Sequence, residues 1–207
     1  TTSHALAQYR VWGIKFSIAV MTNLTHEHLD YHGSFENYRN AKVKLFKMTN
    51  KNKAGLQLGV INSDDENAKY FIKPIKNTLT YGINTGDIKA FSIDSTPNGS
   101  SFQVTYNNDT YNISCNIPGS FNIYNSLAAL SVGIALGLSK EQIEAGLSAL
   151  DSVEGRMTKI DEGQKFSVII DFAHTPDSFE KLFKDLRPVV KGKLITVFGS
   201  AGRRDEA

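Results

Sequence analysis

The sequence predicts an α/β fold in two parts, and three observations carry that expectation. Two short apolar runs rich in β-branched residues, 16–22 (FSIAVMT) and 58–62 (LGVIN), have the look of buried strands, with a helical pattern between them. The stretch 77–117 changes character, and within it residues 102–106 and 111–115 alternate apolar and polar, as in a small antiparallel sheet with one face buried. Residues 166–170, a helix opening at Pro176, and residues 194–198 then give strand, helix, strand, the opening of a parallel α/β sheet.

The elements follow in order. After the first strand comes a polar loop, 23–33, carrying three histidines. Ser34 is placed to cap a helix running to about Met48, with Phe35, Tyr38, Lys42, Leu45 and Phe46 near one face. A short helix is expected over 64–72, after the second strand. Phe102, Val104 and Tyr106 alternate with polar residues, as do Tyr111, Ile113 and Cys115, and Asn107-Asn108-Asp109 between them predicts a hairpin. An Ala- and Leu-rich helix is expected over 121–136, stopped by Gly137. Ser139, with Gln142 three residues later, predicts a capping box for a helix over 140–150. Pro176 suits the first turn of a helix to about Leu186.

Composition narrows the function classes. Over 207 residues, 41% are apolar and 21% charged, the balance of a soluble globular protein with room for a core. The net charge of +2 comes without a Lys/Arg block, so nucleic-acid binding gains no electrostatic support. No apolar run approaches the ~20 residues that span a bilayer, and no signal peptide opens the chain. The single cysteine, Cys115, lies in an alternating run and is expected to be a half-buried strand residue rather than a nucleophile. Both ends look cut: Thr1 begins in a polar run without methionine, and Ala207 follows a Gly-rich loop.

Four groups of residues could carry chemistry. His26, Glu27, His28, Asp30 and His32 lie just past the carboxyl end of a buried strand, where open α/β sheets bind ligands. Such a set could hold a divalent metal, although its spacing is no zinc pattern and equally suits a solvated loop. The following helix carries Arg39, Lys42, Lys44 and Lys47, by default a solvated basic face. Lys42 differs because it falls near the apolar stripe. Desolvation there would favour a neutral, modifiable amine, unless the ammonium reaches out to water over a packed stem. Asn122 and Asn125, three apart, share a helix face and could read a purine edge or cap the helix. Asp171 sits at a strand-to-helix turn, where it could hold ribose hydroxyls or act only as a turn residue, and the helix start offers N–H groups to anions. There is no G-x-x-x-x-G-K-[ST] loop in the chain.

Taken together and in order, these segments resemble the ATP-dependent Mur ligases, MurE type. Thr2-Ser3-His4-Ala5-Leu6 with Gln8 and Arg10 is similar to their "E-x-S-S-H-x-L…Q-x-R" segment. Residues 22–33 resemble "T-N-L-x-x-D-H-L-D-Y-H-G", and Tyr38…Ala41-Lys42 resembles "Y…A-K". Residues 119–125 resemble "G-x-F-N-x-x-N", residues 154–157 "E-G-R-M", and residues 171–177 "D-Y-A-H-T-P-D". The likeness covers nearly the whole chain.

The resemblance implies a central ATPase-type domain over residues 1–152, a mixed sheet with flanking helices and a small antiparallel sheet. Its phosphate loop would lie before Thr1. Residues 153–207 would begin a Rossmann-like C-terminal ligase domain. It implies a cytoplasmic, monomeric enzyme of peptidoglycan synthesis with no nucleic-acid or membrane partner. That enzyme joins meso-diaminopimelate or L-lysine to UDP-N-acetylmuramoyl-L-alanyl-D-glutamate through an acyl phosphate, with ATP and Mg²⁺. Lys42, as a carbamate, and His28 would ligate Mg²⁺, with Asp30 beside them and His174 near the reacting groups. Thr2, Ser3, Gln8 and Arg10 would hold the UDP-sugar, and Arg204 the carboxylate of the diamino acid. Asn122, Asn125, Arg156 and Asp171 would surround the nucleotide. Two departures stand out: Glu27 replaces an aspartate, and Arg203 replaces an acid beside Arg204. The implied Mg²⁺-binding glutamate and phosphate loop are not among these residues, so the 207-residue piece alone is expected not to turn over. Two other readings share parts of the pattern. One is another Mur ligase or a folylpolyglutamate synthase-like ligase, and the other is a non-catalytic nucleotide-binding module.

Overall fold

The computed structural model describes residues 1–96 and 98–199. These form two compact units, the first ending at Lys89 and the second beginning at Ala90.

In the first unit, α1 (Ser3–Ala7) precedes β1 (Ile18–Met21), the one-turn α2 (Leu29–His32) and α3 (Phe35–Lys51). Then follow β2 (Leu58–Asn62), α4 (Ala68–Ile72) and β3 (Asn77–Gly82). β1, β2 and β3 are parallel neighbours in that order, Ile18 opposite Leu58 and Leu58 opposite Asn77. Ser34 caps α3 as expected, its Oγ accepting from the Asn37 N–H at 3.2 Å, and the helix runs three residues past Met48. β3 was expected in the antiparallel part but continues the parallel sheet. α4 carries the chain back across the sheet between β2 and β3, so β3 runs in the direction of β2.

The core lies between α3, α4 and the sheet. Tyr38, Val43 and Phe46 from α3 meet Ala19, Met21 and Ile61 from the strands and Phe71 from α4. Phe46 and Phe71 pack edge to face with ring centroids 5.1 Å apart. Gly59 lets this packing close. A Cβ there would stand 2.9 Å from Cγ2 of Ile75 and 3.3 Å from both Cδ1 of Ile61 and Cδ1 of Phe46.

In the second unit, the remainder of β4 (Ile88–Thr96) pairs antiparallel with β5 (Gly99–Tyr106), which pairs with β6 (Asp109–Cys115). The hairpin turn falls at Asn107 and Asn108, both with positive φ (48° and 70°), as asparagine tolerates. Cys115 is buried in β6 and its thiol lies 3.6 Å from the Ile117 carbonyl, a packed strand residue as expected. α5 (Phe121–Ala135) ends at Gly137 (φ 75°), whose N–H donates to the Ile134 carbonyl. α6 (Lys140–Ser148) has the predicted capping box of Ser139 and Gln142.

β7 (Thr158–Ile160) and β8 (Val168–Ile170) form an antiparallel pair, followed by α7 (Pro176–Leu186). Here the expectation of strand, helix, parallel strand is corrected. β8 finds its partner in β7, which the sequence reading passed over, and residues 194–198 form no strand. A short apolar run makes a strand only where a neighbour completes the ladder. Among the described residues, Ile195 and Val197 are 79% and 93% exposed and have no strand beside them. Among the described residues, no helix is long and apolar enough to cross a membrane.

Gly59→Ala is expected to lower stability by about 1–3 kcal/mol through overpacking, read as a lower urea midpoint at unchanged slope. Full wild-type stability would show that α3 has slack against the sheet.

Candidate active site

The polar cluster past β1 is arranged by α3. Tyr38 is 1% exposed, and its ring forms the wall against which the cluster stands. Lys42, one turn further along α3, places Nζ 5.1 Å from the centroid of that ring. The ring of His28 lies 5.9 Å from it and that of His32 5.6 Å. Glu27 reaches in from the loop: the Tyr38 hydroxyl donates to its Oε2 at 3.4 Å, and Nε2 of His28 is 4.0 Å from the same oxygen. One carboxylate, two imidazoles and one amine therefore border a single tyrosine.

His28 holds an unusual backbone conformation, φ 58° and ψ 31°, just before α2. For a non-glycine residue this left-handed geometry costs on the order of 1 kcal/mol or more, and it persists only where surrounding contacts impose it. Those contacts are visible. The His28 carbonyl accepts from the N–H groups of Tyr31 and His32. Its ring meets His4 edge to face at 4.8 Å. His4 packs in turn on Tyr31 at 4.2 Å, and His32 lies 3.0 Å from the Ser3 hydroxyl.

The electrostatics follow from burial. Burial lowers the pKa of Lys42 below the ordinary 10.5, while the Glu27 carboxylate pulls the other way. Burial, then Glu27, pushes the Tyr38 phenol upward, so this hydroxyl stays a proton donor. His32 is lowered by burial and then by His4. Among the described residues, no three His, Cys, Asp or Glu side chains converge as a ready metal site. The chain's own donors here are Glu27 Oε2 and His28 Nε2, 4.0 Å apart, so a hard cation would need further oxygen ligands. An oxygen-bearing derivative of Lys42 would supply one, and in this sense the residues fit Mg²⁺.

The expected basic face of α3 is corrected in part. Lys47 is exposed, but the Arg39 guanidinium stacks 3.6 Å above the Tyr70 ring, and Lys44 lies 5.1 Å from the centroid of Tyr9. Exposed aromatic neighbours draw these cations down onto the surface.

The remaining residues of the first unit lie along α1. Thr2 caps it, its hydroxyl accepting from the Ala5 N–H at 3.1 Å, and Gln8 closes it. Gln8 and Arg10 are exposed. Ser3 is 1% exposed and points its hydroxyl to His32, so it braces the cluster. Asp30 is exposed in the first turn of α2.

The second unit holds two further clusters. Asp171 accepts from the Met157 N–H at 2.9 Å and from the Ala173 N–H at 2.8 Å, fixing the exit of β8. Phe172, 60% exposed, has the Arg156 guanidinium 4.9 Å above it and the His174 ring 4.9 Å away edge to face. Asp171, Arg156 and His174 thus share one patch. At the α7 start the Ser178 N–H is already taken by a capping box. The Ser178 hydroxyl accepts from the N–H groups of His174 and Thr175, and Thr175 Oγ1 accepts from the Ser178 N–H. At the head of α5, Asn125 Nδ2 donates to Asn122 Oδ1 at 2.9 Å, and Asn122 Nδ2 donates to the Pro118 carbonyl at 2.7 Å. The Ser120 N–H and hydroxyl both donate to Asp185 Oδ2, at 2.7 and 3.1 Å. Arg204 lies outside the described residues.

Sequence reading counted Glu27 only within the polar cluster and gave no role to the Tyr38 wall. The signal was present: Tyr38 and Lys42 are four apart on one helix, and a carboxylate adjoins the histidine that faces them.

Comparison with known proteins places this arrangement. The Mur ligase middle domain matches residues 1–133, and the "Mur ligase, glutamate ligase domain" matches residues 155–207. The UDP-N-acetylmuramyl-tripeptide synthetase of Roseiflexus sp. (strain RS-1) is 42% identical over 218 residues, covering 100% of this chain and 43% of that protein. The UDP-N-acetylmuramoyl-L-alanyl-D-glutamate–2,6-diaminopimelate ligase of Bacillus velezensis is 41% identical, covering 99% of this chain and 43% of that protein. A solved UDP-N-acetylmuramoyl-L-alanyl-D-glutamate–2,6-diaminopimelate ligase superposes with a TM-score of 0.75 at 32% identity, over 99% of this chain and 42% of the other. The chain therefore spans less than half the length of the relatives it matches.

Lys42 carries a test of the burial argument. A lysine whose folded pKa lies below 10.5 binds fewer protons folded than unfolded just below that pH. Stability must then rise as pH climbs from the folded value toward 10.5. Relative to Lys42→Met, the wild-type chain is expected to gain stability over that alkaline window in urea titrations. Parallel curves for the two proteins would show that the amine is solvated.

Proposed function

The chain belongs to the Mur ligase family, and from that premise we propose that its parent protein is an ATP-dependent ligase of peptidoglycan synthesis. The enzyme joins a diamino acid to UDP-N-acetylmuramoyl-L-alanyl-D-glutamate. The observation that carries this reading is the half-buried Lys42 amine, held against Tyr38 with Glu27 and His28 at its side past the carboxyl end of a parallel strand. The names of relatives at 41–42% identity favour diaminopimelate over L-lysine as the added amino acid.

In the proposed reaction, the glutamate carboxylate takes the γ-phosphoryl group of ATP, giving an acyl phosphate and ADP. The diamino acid's amine attacks the acyl carbon, and amide and inorganic phosphate are released. Charge on the phosphoryl oxygens must be neutralised during transfer, which is the chemistry Mg²⁺ supplies when bound. Lys42, as a carbamate, and His28 would hold it. The carbamate forms when the neutral amine adds carbon dioxide and loses a proton, a step that burial of Lys42 favours. Thr2, Gln8 and Arg10 are assigned to the UDP-sugar, with Ser3 bracing His32. Asn122, Asn125, Arg156 and Asp171 are assigned to the nucleotide, His174 to its vicinity, and Arg204 to the diamino acid carboxylate.

The proposed domain boundary stays at 152/153, between the two matched segments. The proposed setting is the cytoplasm, with the enzyme working as a monomer.

The test is ADP release by the parent protein with Mg²⁺, ATP, the UDP-sugar dipeptide, and either diaminopimelate or L-lysine. Release is expected to require the dipeptide and to be faster with diaminopimelate. Lys42→Ala is expected to lose activity by on the order of a hundredfold or more, with partial recovery in added short-chain carboxylates. Dipeptide-independent ADP release, or full activity in Lys42→Ala, would overturn the reading.

A further inference from the structure

The loop that delivers Glu27 and His28 is held from behind. Where β1 ends, three backbone groups between Met21 and Leu24 are taken by side chains from neighbouring segments. The buried Tyr81 of β3 donates its hydroxyl to the Met21 carbonyl at 3.1 Å. Asn62, the last residue of β2, donates Nδ2 to the Thr22 carbonyl at 2.8 Å. Asp65 accepts the Leu24 N–H on Oδ2 at 2.8 Å.

The clasp is itself fixed. The other oxygen of Asp65 accepts from the Asn67 N–H at 2.8 Å, and Oδ1 of Asn62 accepts from the Asp64 N–H at 3.1 Å. Neither side chain is free to follow the loop if the loop moves. β1 pairs with β2 along its length, and past Met21, where that ladder ends, the backbone groups are met by these side chains. From Leu24 to Glu27 is three residues, and Glu27 is next held by the Tyr38 hydroxyl. The clasp thus fixes the near end of the segment whose far end is the site.

We propose that Asn62, Asp65 and Tyr81 are positioning residues for Glu27 and His28, acting through the backbone of residues 21–24. The consequence for turnover rests on the ligase reading above, whereas the mechanical claim does not. Removing groups that orient metal ligands through hydrogen bonds typically costs about 10- to 100-fold in metal affinity or activity, which sets the scale expected here.

The experiment uses the full-length parent protein with Asp65→Ala and Asp65→Asn, and reads two quantities. Amide hydrogen exchange over residues 22–32 is expected to quicken in Asp65→Ala while α5 keeps its wild-type protection. The kcat is expected to fall about 10- to 100-fold with little change in KM for the dipeptide. Asp65→Asn retains an oxygen that accepts the Leu24 N–H and is expected to restore most of both. Should Asp65→Ala fail to fold, Tyr81→Phe removes only the hydroxyl and gives the same two readings. The proposal is overturned if residues 22–32 exchange as in wild type, if exchange quickens equally in α5, or if kcat stays at the wild-type value with the loop loosened. A wild-type protein that ligates nothing removes the ligase reading, and the exchange comparison still decides the clasp.

Discussion

Desolvation of one amine shapes the first unit. A lysine ammonium keeps its charge in water, so lowering the Lys42 pKa requires a neighbourhood that water enters poorly. α3 provides it by pressing Tyr38, Val43 and Phe46 into the sheet, which draws Lys42 down with the same face. The same packing turns Tyr38 into a wall for His28 and His32, and its hydroxyl orients Glu27. Glu27 opposes the desolvation of Lys42 only in part, so the pKa of the amine stays below its ordinary value. Packing, geometry and protonation in this unit are one arrangement seen at three scales.

The second unit uses its polar groups differently. Asp171 spends both oxygens on backbone N–H groups, and Thr175 and Ser178 cap the start of α7 reciprocally. What it offers to a ligand is a face: the Arg156 guanidinium, the exposed ring of Phe172 and the His174 imidazole. A planar cation beside an exposed aromatic ring suits a flat, electron-rich partner, in keeping with the nucleotide role proposed for this cluster.

Much of this was legible in the sequence where local physics decides. Ser34, Ser139 and Pro176 marked helix starts because capping and proline geometry act within four residues. Asn107 and Asn108 marked the hairpin because few residues accept positive φ. Lys42 stood out because its spacing put a charge near an apolar stripe. Decisions made by distant partners were less legible. β3 runs parallel because α4 crosses the sheet, and residues 194–198 remain unpaired while β8 pairs with β7. Glu27 looked like a conservative change until Tyr38 and His28 were seen to meet it. The inward turn of Ser3 toward His32, 29 residues away, has no local signature at all.

The central claim is that burial lowers the pKa of the Lys42 amine at the proposed Mg²⁺ site, so that it can be converted to an oxygen ligand. The most direct measurement is carbon-13 NMR of the parent protein equilibrated with labelled bicarbonate near neutral pH. The account predicts a protein-bound carbamate resonance that disappears in Lys42→Arg and is displaced when unlabelled bicarbonate is added. A wild-type spectrum without that resonance, or one that Lys42→Arg leaves unchanged, would contradict it.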